Sequence, residues 1–247
     1  MTGNEKVTYS IEGLKKLVED HEAISFDIFD TLVMRKVYFN HDVFRIVGEK
    51  YKAEAPDFYA VRVKAERELS RTRYPYIEEI YAYIASECKL DAQLAAEIMA
   101  YEIEVERQVI IPRYSVVDIF NYGKKLGKRV FIVSDMYMHQ KDLEDIINRI
   151  GIEGYDKIFV SSEYDTSKPQ HLFECYKKEI KAESYLHIGD SYACDIEPSG
   201  KLGIDSFRLM TSAEIWEGTG CRPAEDLSER IRQAEYIAER FNTPFPG

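Results

Sequence analysis

Polar side chains follow short apolar segments at four places along the chain, and their chemical types complement one another. Asp27 follows Ala-Ile-Ser-Phe, Ser134 follows Val-Phe-Ile-Val, and Lys168 lies within Glu-Tyr-Asp-Thr-Ser-Lys-Pro. Asp190 follows His-Ile-Gly, and Asp195 comes shortly after it. In an α/β protein, a carboxylate at the carboxyl end of a strand lies where such folds bind ligands and carry out chemistry.

These side chains predict a site for a phosphoryl group. A carboxylate nucleophile such as Asp27 repels a phosphate dianion, so a divalent cation is needed between them. Mg²⁺ prefers carboxylate, carbonyl and water oxygens, and Asp27, Asp190 and Asp195 offer carboxylates. The Ser134 hydroxyl and the Lys168 ammonium would hold the equatorial oxygens and stabilise their charge. We therefore predict Asp27, Ser134 and Lys168 as catalytic residues and Mg²⁺ as the cofactor.

The segments that carry these residues alternate with amphipathic helices. Apolar strands are predicted at residues 23–26, 129–134, 157–162, 184–188 and 206–209. Strands that alternate with helices imply right-handed crossovers and a parallel sheet covered on both faces. We therefore predict an α/β fold with a doubly wound, Rossmann-like parallel sheet, in which the strand ends bring the polar residues to one edge.

Between the first two predicted strands the pattern changes to four consecutive segments with helical spacing and no strand among them. Pro56, Pro75 and Asp91 lie where three of these helices could begin. Four helices in succession suggest a separate small helical domain. We predict this domain at residues 37–111, and a core formed by residues 1–36 and 112–247.

Charge, hydropathy and cysteine usage indicate which binding partners and which cellular compartment to expect. The net charge of −11 argues against binding nucleic acid or an anionic membrane through a broad basic face. No apolar run is long enough to span a membrane, and the N-terminus lacks a basic-then-apolar leader. The four cysteines are far apart and form no CxxC pair, which is typical of reduced thiols. We predict a cytoplasmic protein without membrane insertion; the oligomeric state stays open.

The motifs resemble those of the haloacid dehalogenase-like (HAD) hydrolase superfamily. Residues 26–32 (FDIFDTL) resemble its first motif, Ser134 the second, Lys168 the third, and Gly189-Asp190 with Asp195 the fourth. The helical insert resembles the family's helical cap, which closes over the site and selects substrates. The resemblance implies a Mg²⁺-dependent phosphohydrolase or phosphotransferase that forms an aspartyl-phosphate at Asp27 and acts on a small phosphorylated metabolite.

One position departs from the family pattern. Phosphatases of this family usually carry a second aspartate two residues after the nucleophile, which protonates the leaving alkoxide, whereas this chain has Phe29. The Phe29 side chain cannot transfer a proton, although its backbone carbonyl can still bind Mg²⁺. Asp30 follows at a turn position often held by glycine and is not assigned the proton. Loss of a positioned acid costs on the order of 10²–10⁴-fold in rate, and acyl phosphates or activated aryl esters suffer least.

Two other functions stay open. The family's dehalogenases also lack the second acid, so a metal-independent dehalogenase-type hydrolase is one alternative. Those enzymes, however, generally lack the metal-binding acids that Asp190 and Asp195 are predicted to provide in this chain. A binding or scaffold protein with a degenerate site is the other alternative.

Three further residues are predicted to bind the substrate: Thr31, Arg35 and Asp135. Each has a simpler alternative, because Thr31 can shape a turn, Arg35 can form a surface salt bridge, and Asp135 can cap a helix. Asp195 also has two interpretations, since it can bind the metal or orient Lys168.

Overall fold

The strands form a five-stranded sheet and a two-stranded ribbon. The computed structural model describes residues 9–71 and 73–245. The strands are β1 (Ala23–Phe26), β2 (Val33–Arg35), β3 (Ile110–Pro112), β4 (Arg129–Ser134), β5 (Lys157–Val160), β6 (Tyr185–Gly189) and β7 (Asp205–Arg208).

Helices surround the sheet and form the insert between β2 and β3. They are α1 (Ile11–Asp20), α2 (Asp42–Lys50), α3 (Phe58–Leu69), α4 (Ile77–Cys88), α5 (Ala92–Val109), α6 (Tyr114–Lys125), α7 (Gln140–Asn148), α8 (Ser161–Tyr164), α9 (Phe173–Glu179), α10 (Glu197–Lys201), α11 (Ser212–Gly218) and α12 (Leu227–Arg240). Two π-helical turns, Lys168–Leu172 and Tyr192–Ile196, lead into α9 and α10. Among the described residues, no helix has both the length and the apolar character that a membrane span requires.

The large sheet is parallel throughout, in the order β5-β4-β1-β6-β7. Strand β1 therefore lies at the centre, hydrogen-bonded to β4 on one side and to β6 on the other. Parallel neighbours end at the same edge, so the residues after β1, β4 and β6 come close together. This arrangement confirms the predicted doubly wound α/β fold.

Both faces of the sheet are covered, as expected for parallel strands. Alternate side chains of β1 and β4, such as Phe26 and Ile132, pack with α1, α6 and α7 in one buried cluster. The other face carries Phe131 and Val133, which pack with α9 residues such as Tyr176. This packing explains why the inner strands are mostly apolar and do not alternate regularly with polar residues.

The insert consists of the four predicted helices, α2 to α5, between β2 and β3. Asp91 caps α5, since its side chain accepts a hydrogen bond from the Leu94 amide at 2.8 Å. Strands β2 and β3 pair antiparallel, with Arg35 opposite Ile110, so the chain leaves and re-enters the core through one ribbon. The division into a cap at 37–111 and a core at 1–36 and 112–247 stays a prediction.

One strand was predicted too long, and several short elements were not predicted. The predicted strand 157–162 ends at Val160, and Ser161 begins the short helix α8. The Ser161 hydroxyl accepts a hydrogen bond from the Met136 amide in the neighbouring loop, with an N–O distance of 2.7 Å. The ribbon of β2 and β3 and the helix α11 were not predicted, because segments of three to seven residues show little periodicity.

Candidate active site

Asp27, Lys168 and Asp195 meet at the carboxyl edge of the sheet, where the sequence predicts a site. The Lys168 Nζ lies 2.8 Å from Asp27 Oδ1 and 2.5 Å from Asp195 Oδ1. All three residues are buried: Asp27 is 5% exposed, Lys168 is 4% exposed and Asp195 is 0% exposed. The Asp27 amide also donates to the Ile188 carbonyl at 2.9 Å, which holds the ends of β1 and β6 side by side. A buried ammonium between two carboxylates is therefore the centre of this site.

Three carboxylates face one another here. One oxygen each of Asp27, Asp190 and Asp195 lies within 4.8 Å of the others. The Thr31 hydroxyl donates to Asp190 Oδ1 at 3.3 Å and orients that side chain. All the donor atoms are oxygens, which is the ligand type that Mg²⁺ prefers, so the donor set fits this ion.

Asp195 is the most heavily hydrogen-bonded of the three acids. Its Oδ1 contacts both Lys168 and the His187 Nε2, which is 3.1 Å away, and its Oδ2 accepts from the Ser191 amide at 2.9 Å. These contacts favour the interpretation in which Asp195 orients Lys168. The Asp190 carboxylate, with Thr31 as its hydrogen-bond partner among the described residues, keeps more of its lone pairs for a cation.

His187 and Ser25 extend this chain of hydrogen bonds into the sheet, and sequence reasoning missed both. Their side chains are 2.9 Å apart, both are fully buried, and they are partners in the register of β1 and β6. The available signal was a polar residue at the centre of each of two otherwise apolar strands. A buried polar side chain requires a partner, so two of them on adjacent strands indicate a contact.

Burial dominates the electrostatics of the acids. It raises the pKa of Asp27 to about 7, although the nearby Lys168 ammonium acts to lower it. Burial also raises the pKa of Asp190, and the charge of Asp27 adds to this effect. Burial acts in the same direction on Asp195, but Lys168 and the His187 contact outweigh it and hold its pKa below the usual range. The positive charge of Lys168 therefore neutralises mainly Asp195, and it compensates the negative charge of Asp27 only in part.

Ser134 and Asp135 lie at the end of β4, next to this centre. The Ser134 hydroxyl is buried and has no hydrogen-bond partner among the described residues. An unsatisfied buried hydroxyl is unusual, and a ligand oxygen would satisfy it. Asp135 Oδ1 accepts a hydrogen bond from the Lys168 amide at 2.9 Å and so holds the π-helical turn that presents the lysine.

A cavity of about 780 Å³ opens above these residues, between the core and the helical insert. The lining includes Asp27, Lys168, Asp190 and Asp195 from the core and Phe44, Tyr59, Glu66 and Tyr74 from the insert. Of the predicted substrate-binding residues, Arg35 and Asp135 line this cavity. Thr31 is fully buried and contacts Asp190, so its geometry favours positioning that acid over touching a substrate.

The turn after β1 places Phe29 and Asp30 at the cavity. Asp30 has a left-handed backbone with φ 56°, a conformation that aspartate tolerates better than most residues. Its carbonyl accepts a hydrogen bond from Arg113 Nη1 at 2.7 Å, which locks the turn. This agrees with the interpretation of Asp30 as a turn residue.

Gly189 makes the close approach of Asp195 possible, which gives a first prediction. A Cβ at position 189 would lie 2.4 Å from Asp195 Cγ and 2.6 Å from its Cβ. We expect Gly189→Ala to displace Asp195 from Lys168, to lower the free energy of unfolding by about 1–3 kcal/mol, and to reduce activity. Denaturant unfolding measures the change in the free energy of unfolding. Gly200→Ala is the control, because a Cβ there meets nothing within 4 Å and should be neutral or stabilising.

The fold and the site define a hydrolase with an α/β core and an inserted helical cap. The chain belongs to the haloacid dehalogenase-like hydrolase family, whose sequence model matches residues 42–209, well over half of the chain. The matched segment contains Ser134, Lys168, Asp190 and Asp195 and begins after Asp27. The FDIFDTL motif therefore lies outside the match and stays a prediction as a subfamily marker.

Solved structures share this fold at low sequence identity. A 2-haloacid dehalogenase from Pseudomonas syringae is 15% identical, with a TM-score of 0.54, and the alignment covers 90% of this chain and 99% of the dehalogenase chain. An L-2-haloacid dehalogenase from Xanthobacter autotrophicus is 13% identical, with a TM-score of 0.55 and coverages of 86% and 88%. A Bacillus subtilis protein described as a HAD-hydrolase and solved with bound magnesium is 17% identical, with a TM-score of 0.50 and coverages of 76% and 86%. A search of curated proteins found no match.

Proposed function

We propose that this protein is a Mg²⁺-dependent phosphohydrolase or phosphotransferase that acts on a small phosphorylated metabolite through an aspartyl-phosphate at Asp27. The observation that carries this proposal is the cluster of Asp27, Asp190 and Asp195, whose oxygens lie within 4.8 Å of one another beside the buried Lys168. Such a cluster repels itself without cations, and one lysine compensates only part of its charge. The magnesium-bound Bacillus subtilis structure supports the same interpretation for the shared fold.

The residues have separate roles in the proposed reaction. An Asp27 carboxylate oxygen attacks phosphorus, the bond to the leaving oxygen breaks, and water later hydrolyses the aspartyl-phosphate. Lys168 stabilises charge on the transferring group, and the unsatisfied Ser134 hydroxyl donates to one of its oxygens. Asp27, Asp190 and the Phe29 carbonyl would hold Mg²⁺, which offsets the charge of the phosphate when bound.

The surroundings of the cluster agree with a small substrate. A cavity of about 780 Å³ is within the range for metabolite-sized ligands. The insert contributes aromatic side chains such as Tyr59 and Tyr74 to its wall, so the cap would select among substrates. The phosphoryl group would bind at the edge of the sheet, and the remainder of the substrate would face the cap.

A panel of phosphorylated metabolites that includes acetyl phosphate, assayed with Mg²⁺ and with excess chelator, tests the proposal. We expect phosphate release that requires Mg²⁺. Retained activity in chelator, or halide release from haloacids, would favour the metal-independent alternative. Tight binding of phosphate or beryllofluoride without turnover of any compound would favour the degenerate binding site.

The raised pKa of Asp27 predicts how Mg²⁺ binding depends on pH. The pKa of this carboxyl is about 7 in the fold, against 3.8 for an unperturbed aspartate, so the folded protein holds a proton there that Mg²⁺ must displace. Mg²⁺ affinity should therefore rise from pH 6 to pH 8, by up to about tenfold per pH unit below the pKa for each proton released. Isothermal titration calorimetry measures this change.

The same shift affects the stability of the metal-free protein. A carboxyl whose folded pKa is raised stabilises the fold below the unfolded pKa, and this contribution is lost as pH rises through the folded value. The stabilisation by Mg²⁺ should therefore be larger at pH 8 than at pH 5. Asp27→Asn is the control, since this variant should lose the part of the pH dependence of Mg²⁺ binding that is due to Asp27 and keep the part due to Asp190, whose pKa burial also raises. An unchanged dependence would assign the titration to another group.

A further inference from the structure

Arg35 lies over the ring of Phe29, the residue that stands where related phosphatases carry their second aspartate. The carbon at the centre of the guanidinium is 3.8 Å from the centroid of the ring. The Arg35 side chain is 9% exposed, and both residues line the same cavity as Asp27. A fixed cation therefore covers the ring that replaces the acid.

The position of this cation is set by contacts from both ends of the insert. Arg35 belongs to β2, opposite Ile110 of β3, where the chain passes between core and cap. Its Nε donates to Glu106 Oε1 at 2.6 Å, and Glu106 belongs to the last turn of α5. Stacking and this ion pair together hold the guanidinium plane in place.

The guanidinium keeps donors for a ligand. Glu106 occupies Nε, and Asn40 Oδ1 is 3.5 Å from Nη1, at the limit of a hydrogen bond. Within the described part of the chain, Nη2 has no hydrogen-bond partner. Because a guanidinium presents five N–H donors, those of Nη2 remain available to a ligand in the cavity that Arg35 lines.

Arginine cannot replace the missing acid, because it does not release a proton in proteins. It can stabilise an oxygen that departs with negative charge. We propose that Arg35, stacked on Phe29, forms a leaving-group site that stabilises the negative charge on a leaving oxygen that departs without a proton, as it does from acyl phosphates and activated aryl phosphates. This inference rests on the proposed phosphoryl transfer to Asp27.

The chemistry of this step is balanced without a proton donor. The Asp27 oxygen forms a bond to phosphorus while the bond from phosphorus to the leaving oxygen breaks. The electron pair stays on that oxygen, which leaves an acyl phosphate as a carboxylate that pairs with Arg35. Water then attacks phosphorus, the bond to Asp27 breaks, and the protons of the water leave with dihydrogen phosphate. An alkyl phosphate would release an alkoxide in the same step, which a cation alone does not stabilise enough.

The alternative role for Arg35 is to tie the ribbon to the cap without contacting the substrate. The two roles differ in how a substitution affects substrates with different leaving groups. Structural damage lowers the rates for all substrates by the same factor. Loss of a cation at the leaving oxygen instead lowers the rates most for the substrates whose leaving groups are the weakest acids.

The test uses a series of substituted phenyl phosphates, together with acetyl phosphate and ethyl phosphate, in the presence of Mg²⁺. The variant is Arg35→Gln combined with Glu106→Gln, because removing both charges leaves no unpaired charge at Glu106, and Arg113 still compensates the nearby buried Asp30. We expect the slope of log kcat/KM against leaving-group pKa to become steeper, with a loss of about tenfold or more for the poorest phenol. Glu106→Gln alone is the control and should keep the wild-type slope, since the new amide oxygen can still accept from the Arg35 Nε.

Two results would overturn the inference. One is a uniform loss across the series in the double variant, which would leave Arg35 with a structural role. The other is wild-type turnover of ethyl phosphate as fast as that of acetyl phosphate, which would require a proton donor. Arg35→Lys provides an independent measurement if the double variant does not fold, and it should also steepen the slope. Absence of phosphate release from every substrate by the wild-type protein would instead contradict the proposed function.

Discussion

Asp27→Asn is expected to reduce phosphate release by about 10⁴-fold or more, because the nucleophile itself is removed. The amide is close in size to the carboxylate, and Lys168 keeps its contact with Asp195 at 2.5 Å. The fold should therefore persist. Steady-state kinetics with the best substrate of the panel measures the loss, and intact-mass spectrometry after acid quenching detects the phosphoryl adduct in the wild-type protein alone.

Folding and binding controls distinguish the loss of the nucleophile from the loss of the fold. The variant should unfold at a temperature close to that of the wild type and should still bind inorganic phosphate, since Ser134 and Lys168 are unchanged. Activity equal to that of the wild type would remove Asp27 from the mechanism. A large loss accompanied by unfolding would leave only a structural role for the residue.

Lys168→Met is expected to have the largest effect on stability as well as a large effect on activity. The variant leaves Asp27 and Asp195 buried at 5% and 0% exposure without their shared cation. Removal of one partner from a buried ion pair costs about 3–5 kcal/mol, and loss of the charge at the transferring group should lower kcat by about 10²–10³-fold. Urea unfolding without Mg²⁺ and kinetics with Mg²⁺ separate the two effects.

Lys157→Met is the matched control for this stability measurement. Lys157 also pairs with an acid, Glu179, but these two side chains are 40% and 39% exposed. Solvent screens such a pair, so its loss should cost less than about 1 kcal/mol. If the two methionine variants were equally stable, the ammonium of Lys168 would not be neutralising a buried acidic pair.

Local patterns predicted much of the fold. The strand at 23–26 and the strand at 129–134 have the predicted bounds, and the four helices of the insert are where their apolar spacing indicates. The cap of α5 at Asp91 was also predicted and is confirmed. These features depend on residues that are at most a few positions apart, so their signal is continuous in the chain.

The candidate site was predicted only in part. The order of polar residues at strand ends indicated that Asp27, Lys168, Asp190 and Asp195 would meet, and the structure brings them together. The strand that was expected to reach residue 162 ends at Val160, which pairs with Ser134, the last residue of β4, and the Ser161 hydroxyl binds the Met136 amide in the loop after β4. Local propensity cannot register a partner 25 positions away.

The sequence alone established the types of the reactive side chains and the edge of the sheet at which they lie. Tertiary structure decided which acid pairs with which base: Lys168 lies between Asp27 and Asp195, His187 supports Asp195, and Arg35 stacks on Phe29. The physical reason is that hydrogen bonds and ion pairs are formed between atoms a few ångströms apart, whatever their separation along the chain. Lys168 and Asp27 are 141 positions apart, and only the packing of β1 against its neighbours brings them into contact.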